Sequence, residues 1–198
     1  MLLSSGLRYH SNKMTAPLTS MFEVVSRSML ENFLQSNAEV HLFSSQNKEL
    51  PTKILEKIYW LSENIGAPFI GEEEEFFGNI AGDAGLDIVA WHNMGDNLSN
   101  RPIYFGQCAC SIKDWPSKVY TSGYSHWART IQLDPAPPVN MMFIPHSYRN
   151  RNHKWVKSRE LDNAILFDRS RILKYFSDVD LILHNVVIKD ALERLVVA

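Results

Sequence analysis

The chain has 198 residues, 45% of them hydrophobic and 21% charged, with a formal net charge of −2. That length and composition suit one substantial domain with a sizeable core. The charge excludes a global basic field that draws in nucleic acid, so any DNA contact has to come from a local patch. No apolar run approaches the roughly 18 residues that a membrane span needs, so no membrane partner is expected.

We read 1–198 as a single domain in which 1–15 are irregular. Neither end carries a boundary signal, so the reading includes the case of one piece of a longer protein. The first helix is expected after Pro17, capped by Thr15 or Thr19. Phe22, Val25, Met29, Leu30, Phe33 and Leu34 recur at three- and four-residue spacing and form its core-facing stripe. Glu39 to Phe43 reads as a short strand. Pro51 opens a second helix through Ile54, Leu55, Ile58, Tyr59 and Leu61, which ends near Gly66 and Pro68. Glu72 to Glu75 reads as a solvated acidic loop.

Leu86, Ile88 and Ala90 alternate with Asp87, Val89 and Trp91, the period of a pleated strand. His92 to Asn100 is polar and holds Gly95, Asp96 and Asn97, all turn formers. Arg101 to Cys110 is again apolar and favours a strand, with Pro102 near its start, where a missing donor matters least. A carboxylate at the beginning of one strand, Asp87, is therefore expected beside Gln107 on the next. Downstream, Tyr124 to Gln132 reads as a helix and Asp134 to Pro138 as a stop. Val139 to Pro145 and Ala164 to Phe167 read as strands. Asp168 is expected to cap a helix holding Ile172, Leu173 and Phe176, and Asp178 a last helix through Leu181, Val186, Ile188, Leu192 and Leu195. This order makes an α/β domain whose mixed central sheet is flanked by helices on both faces. Cys108 and Cys110 are too close for a disulfide framework, read as buried thiols, and fit a reducing, cytoplasmic setting.

The central pair of strands resembles the PD-(D/E)XK nuclease superfamily, and within it the Mrr-like restriction endonucleases. The family pattern is a Gly-Asp-x-Gly-x-Asp turn into a strand, a hairpin, then a strand carrying Glu or Gln, one residue, and Lys. Asp83, Gly85 and Asp87 match the first part and Gln107 the Glu/Gln position. The lysine position holds Ala109, and the match covers only the middle of the chain. The resemblance implies a restriction endonuclease-like fold and Mg²⁺-dependent (or Mn²⁺-dependent) hydrolysis of DNA. It also implies a bacterial restriction or anti-phage defence setting, with partner subunits or fused domains supplying targeting.

Phosphodiester hydrolysis needs an activated water, a neutralised phosphate and a stabilised leaving oxygen, and Mg²⁺ held by oxygen ligands supplies all three. Asp87 is the expected metal ligand, and Gln107 offers an amide oxygen. Lys113, just past the second strand, is the expected replacement for the missing lysine, set against a solvated loop charge. Glu23 is the candidate for an additional acid on the first helix, set against a surface carboxylate near a helix N-terminus. Arg149, Arg151 and Lys154, beside Tyr148 and Trp155, form the expected phosphate-backbone contact, set against a solvated loop. A second reading keeps the fold as a catalytically inactive module for nucleic-acid binding or complex assembly. No heptad or symmetric patch fixes an oligomeric state.

Overall fold

A computed structural model describes residues 1–7, 12–44, 47–77, 84–96, 98–161, 163–178, 180–181, 185–186 and 188–189 of the chain. Helix α1 spans Leu2–Ser5 and helix α2 spans Asn12–Leu34. Helix therefore takes up 2–5 and 12–15 of the expected irregular start, and Pro17 lies inside α2 rather than opening it. The reason is burial. Met14 and Leu18 are buried and pack with Leu3 and Leu7, which offsets the backbone hydrogen bond that a proline removes.

Strand β1 is Ala38–Leu42, helix α3 Ile54–Ile65, strand β2 Ile88–His92 and strand β3 Ile103–Cys108. Short helices α4, Trp115–Lys118, and α5, Tyr124–Trp127, follow. The helix expected through Gln132 stops at Trp127, because Ile131 pairs with Phe69 as an isolated antiparallel bridge. Strands β4, Val139–Phe143, and β5, Ile165–Phe167, lead to helix α6, Arg169–Tyr175. Asp168 caps α6 through its side chain, as expected. Asp178 accepts from the Leu181 N–H at 3.0 Å, but most of the expected last helix lies outside the described residues.

The five strands form one sheet in the order β1-β2-β3-β4-β5. The pairs β1–β2 and β2–β3 are antiparallel, and β3–β4 and β4–β5 are parallel. The sheet is thus mixed, as the order of elements implied. Its register aligns Leu42 with Ile88, Cys108 with Phe143 and Phe143 with Phe167. The segments that follow β1, β3, β4 and β5, and the one that precedes β2, therefore all gather at one end of the sheet.

Alternation along the strands divides the core between two faces. Val89, Trp91, Ile103 and Phe105 pack with Ile54, Ile58, Leu61 and Ile65 of α3, and with Trp127. Ile88, Ala90, Cys108 and Phe143 pack with Phe22, Val25 and Met29 of α2, and with Ile172 of α6. Gly106 allows this second layer to close. A β-carbon there would lie 2.8 Å from the Phe143 ring, which stacks on Phe167 at 5.2 Å. A cation, Lys57, is buried in the first layer. Lys57 is 1% exposed, and its Nζ donates to the carbonyls of Phe43 and Ser44 at 3.0 and 3.2 Å.

Candidate active site

Asp87 stands one residue before β2, at the end of the sheet where the loops gather. Its backbone is held from both sides. The Asp87 N–H donates to Gly106 O at 2.9 Å, and Asp87 O accepts from Phe43 N–H at 2.8 Å. Lys57 donates to the carbonyl of that same Phe43, so the buried ammonium braces the strand that braces Asp87.

The Asp87 carboxylate meets β3 directly. Its Oδ2 accepts from Gln107 Nε2 at 2.7 Å and from the Cys108 N–H at 2.6 Å. The two residues expected side by side are therefore in contact. Both are largely buried, at 4% and 6% exposure. On its far side Gln107 Oε1 lies 3.4 Å from Thr121 Oγ1. Thr121 Oγ1 also donates to Lys118 O, the last residue of α4, at 2.8 Å. Gly85 lets this turn approach. Its φ is +84°, and a β-carbon there would sit 2.6 Å from Thr121 Cβ. The glycine that the sequence motif singles out is thus the contact point of a third segment, the turn after α4.

We expect Gly85→Ala to lower stability by about 1–3 kcal/mol from backbone strain alone, with a further loss from the clash against Thr121. Thermal denaturation beside the unmutated protein checks this. An unchanged melting temperature would mean that the turn relaxes freely.

Glu23 does not sit on the surface near a helix end. It lies in the middle of α2 and is 8% exposed. It reaches the site from the other face of β3. Burial holds the Cys108 thiol well above its ordinary value, and the charges of Asp87 and then Glu23 add to that, while the Ser26 hydroxyl opposes it. Glu23 and Asp87 therefore act on one thiol from two sides. Cys108 is buried, as expected of it, and both cysteines are free thiols.

Lys113 is exposed in the turn after β3, where its backbone N–H lies 3.4 Å from Ser111 Oγ. Asp83 lies outside the described residues. Ala109 is buried among Trp115, Val119 and Met142, which leaves that position wholly apolar.

The basic segment leaves β4 at the same end of the sheet. Arg149 is fixed there: Nε and Nη2 donate to Asp168 Oδ2 and Oδ1 at 2.9 and 3.1 Å. Its guanidinium also lies over Trp155, 5.1 Å from the ring centroid, with Arg171 at 4.8 Å from the same centroid. Asp168 is fully buried. Burial opposes its ionisation, but the Arg149 hydrogen bonds and the Arg171 N–H hold its carboxyl below the ordinary value. Arg151 and Lys154 are exposed in the turn between Arg149 and Trp155.

The donor set fits a hard cation in one respect. Mg²⁺ commonly keeps several waters and takes only one or two carboxylates from the protein, and Asp87 with Gln107 offers one carboxylate and one amide oxygen. In the observed rotamer the amide nitrogen faces Asp87. A half-turn about the terminal torsion, which is soft, would present the oxygen instead. Among the described residues no group of three or more His, Cys, Asp or Glu side chains is placed to hold a metal.

Sequence reasoning missed Thr121 and Lys57. Thr121 sits in a polar turn with no periodic signal. Lys57 did leave one, since it falls three residues after Ile54 on the apolar stripe of α3.

Fold and site together define an α/β protein with an acid–amide pair at the loop-bearing end of a mixed sheet. No family model, curated protein or solved structure matches the chain. No helix among the described residues is long and apolar enough to cross a membrane.

Proposed function

We propose that the chain is a restriction endonuclease-like DNA endonuclease domain, dependent on Mg²⁺, that hydrolyses phosphodiester bonds in a bacterial restriction or anti-phage defence setting in the cytoplasm. The observation that carries the reading is the 2.7 Å contact between Asp87 and Gln107 on neighbouring strands. Asp87 and Gln107 would hold the cation, which when bound supplies charge neutralisation at the phosphate and an acidified water. The chain's own residues do the rest. The backbone bonds of Asp87 fix the carboxylate at the sheet end, and Arg151 and Lys154 meet the DNA backbone along the same edge. Arg149 orders their turn by its bond to Asp168. Partner subunits or fused domains would bring the substrate.

The test is cleavage of plasmid and linear DNA with Mg²⁺ or Mn²⁺. Cleavage that EDTA abolishes supports the reading. DNA bound but not cut under any divalent metal overturns it.

A specific observation favours a second reading, a catalytically inactive nucleic-acid-binding or assembly module. The Asp87 carboxylate already accepts two hydrogen bonds and is almost fully buried. Such a module keeps its DNA affinity in EDTA and in Asp87→Ala. Under either reading, neutralising Arg151 and Lys154 together should lower the slope of log affinity against log salt by about two. Fluorescence anisotropy over a salt series measures this. An unchanged slope would remove this segment from the DNA contact.

A further inference from the structure

We infer that Lys118, at the C-terminal end of α4, is the cation that faces the scissile phosphate, in place of the position that Ala109 leaves apolar. The inference rests on the nuclease reading and adds a catalytic residue to it. Its basis is the docking of α4 on the acid–amide pair. Thr121 donates to Lys118 O through both its N–H, at 3.1 Å, and its Oγ1, at 2.8 Å. That doubly bonded turn sets Thr121 Oγ1 3.4 Å from Gln107 Oε1. It also sets Thr121 against Gly85, where no β-carbon fits. The backbone of Lys118 is thus tied, one turn away, to both halves of the motif.

The side chain of Lys118 is exposed, so its ammonium is open to a polyanion. Its charge also reaches the strand extension beyond Gln107. Burial pushes the Cys110 thiol up to about 12; the Thr19 hydroxyl pulls it back, Glu23 raises it, and Lys118 opposes Glu23. Lys118 and Glu23 therefore act on the same short stretch, three residues after Gln107. Lys113 shows no comparable tie. It precedes α4, and among the described residues its backbone N–H lies 3.4 Å from Ser111 Oγ.

An ammonium aimed at the charge that develops on the phosphate is worth about 10²–10³-fold in rate. The experiment compares K118A, K118R and K113A with the unmutated full chain in two assays. The first is single-turnover plasmid cleavage with Mg²⁺. The second is duplex binding in EDTA across a salt series. We expect K118A to slow cleavage about 100-fold and to lower the salt slope by about one. K118R should recover part of the rate, which separates loss of charge from loss of fold, and K113A should lose less than K118A in both readouts. Cleavage by K118A at the unmutated rate, or losses confined to K113A, would overturn the inference while the nuclease reading stands. Absence of metal-dependent cleavage by the unmutated protein would overturn that reading, and the catalytic role of Lys118 with it.

Discussion

Asp87→Ala is expected to slow metal-dependent DNA cleavage by about 10³-fold, with duplex affinity in EDTA no weaker than before. The effect should be large because so much converges on one carboxylate. It stands at the sheet end, its backbone pinned between Gly106 and Phe43. It is also the only carboxylate in the Asp87–Gln107 pair, and Gln107 is neutral. A structural cost comes with the substitution. Removing Oδ2 leaves the Cys108 N–H and Gln107 Nε2 without the acceptor they share, and a buried donor left unsatisfied costs about 1–3 kcal/mol. Asp87→Asn separates the two effects. Its amide oxygen still accepts from Cys108, so it should melt close to the unmutated protein yet cleave as poorly as the alanine variant. A thermal melt beside a plasmid-nicking assay reads both. Full cleavage by Asp87→Asn would move the chemistry away from this strand pair.

Asp168→Ala is expected to be the most destabilising single change, by about 3 kcal/mol. Asp168 is fully buried, receives both Arg149 nitrogens, and caps α6 by accepting from Arg171 N–H at 3.1 Å. Removing it strands the Arg149 guanidinium and opens the first turn of α6. Arg149 keeps 28% side-chain exposure, so some of its charge is recovered by water and the loss falls at the low end for a broken buried pair. The pH dependence has a definite sign. The folded carboxyl is held below its ordinary value of 3.8. Its contribution is therefore complete above about pH 4 and is lost as pH falls through the lowered value. Urea denaturation of the unmutated protein and Asp168→Asn should show a gap at pH 7 that narrows towards pH 3. A gap that stays constant over that range would mean that charge plays no part in the Arg149 bond.

This link also changes what the basic segment does. Arg149, Arg151 and Lys154 look alike in the sequence. In the fold Arg149 is bonded to Asp168 and stacked on Trp155, whereas Arg151 and Lys154 point to solvent from the turn it anchors. Arg149→Ala should therefore cost stability before it costs DNA contact.

Local pattern alone carried the strands, the helices α3 and α6, and the two-faced core. Alternation at 86–91, the apolar stripe of α3 and the Asp168 cap are set by neighbours a few residues apart, and their physics is complete within that distance. The placement of Asp87 beside Gln107 was legible for the same reason, since a short polar link between two strands leaves an antiparallel pair as the natural outcome. Where partners are remote in sequence, only the tertiary structure decided. Pro17 sits inside α2 because Met14 and Leu18 find Leu3 and Leu7. Glu23 is buried because α2 begins earlier and packs on the sheet face that holds Val40, Ile88 and Cys108. Lys57, Thr121 and the Arg149–Asp168 pair gain their meaning from groups 13 to 19 residues away. Hydrophobic periodicity reports which face of an element is buried, but it holds no information about which polar group waits on the other side.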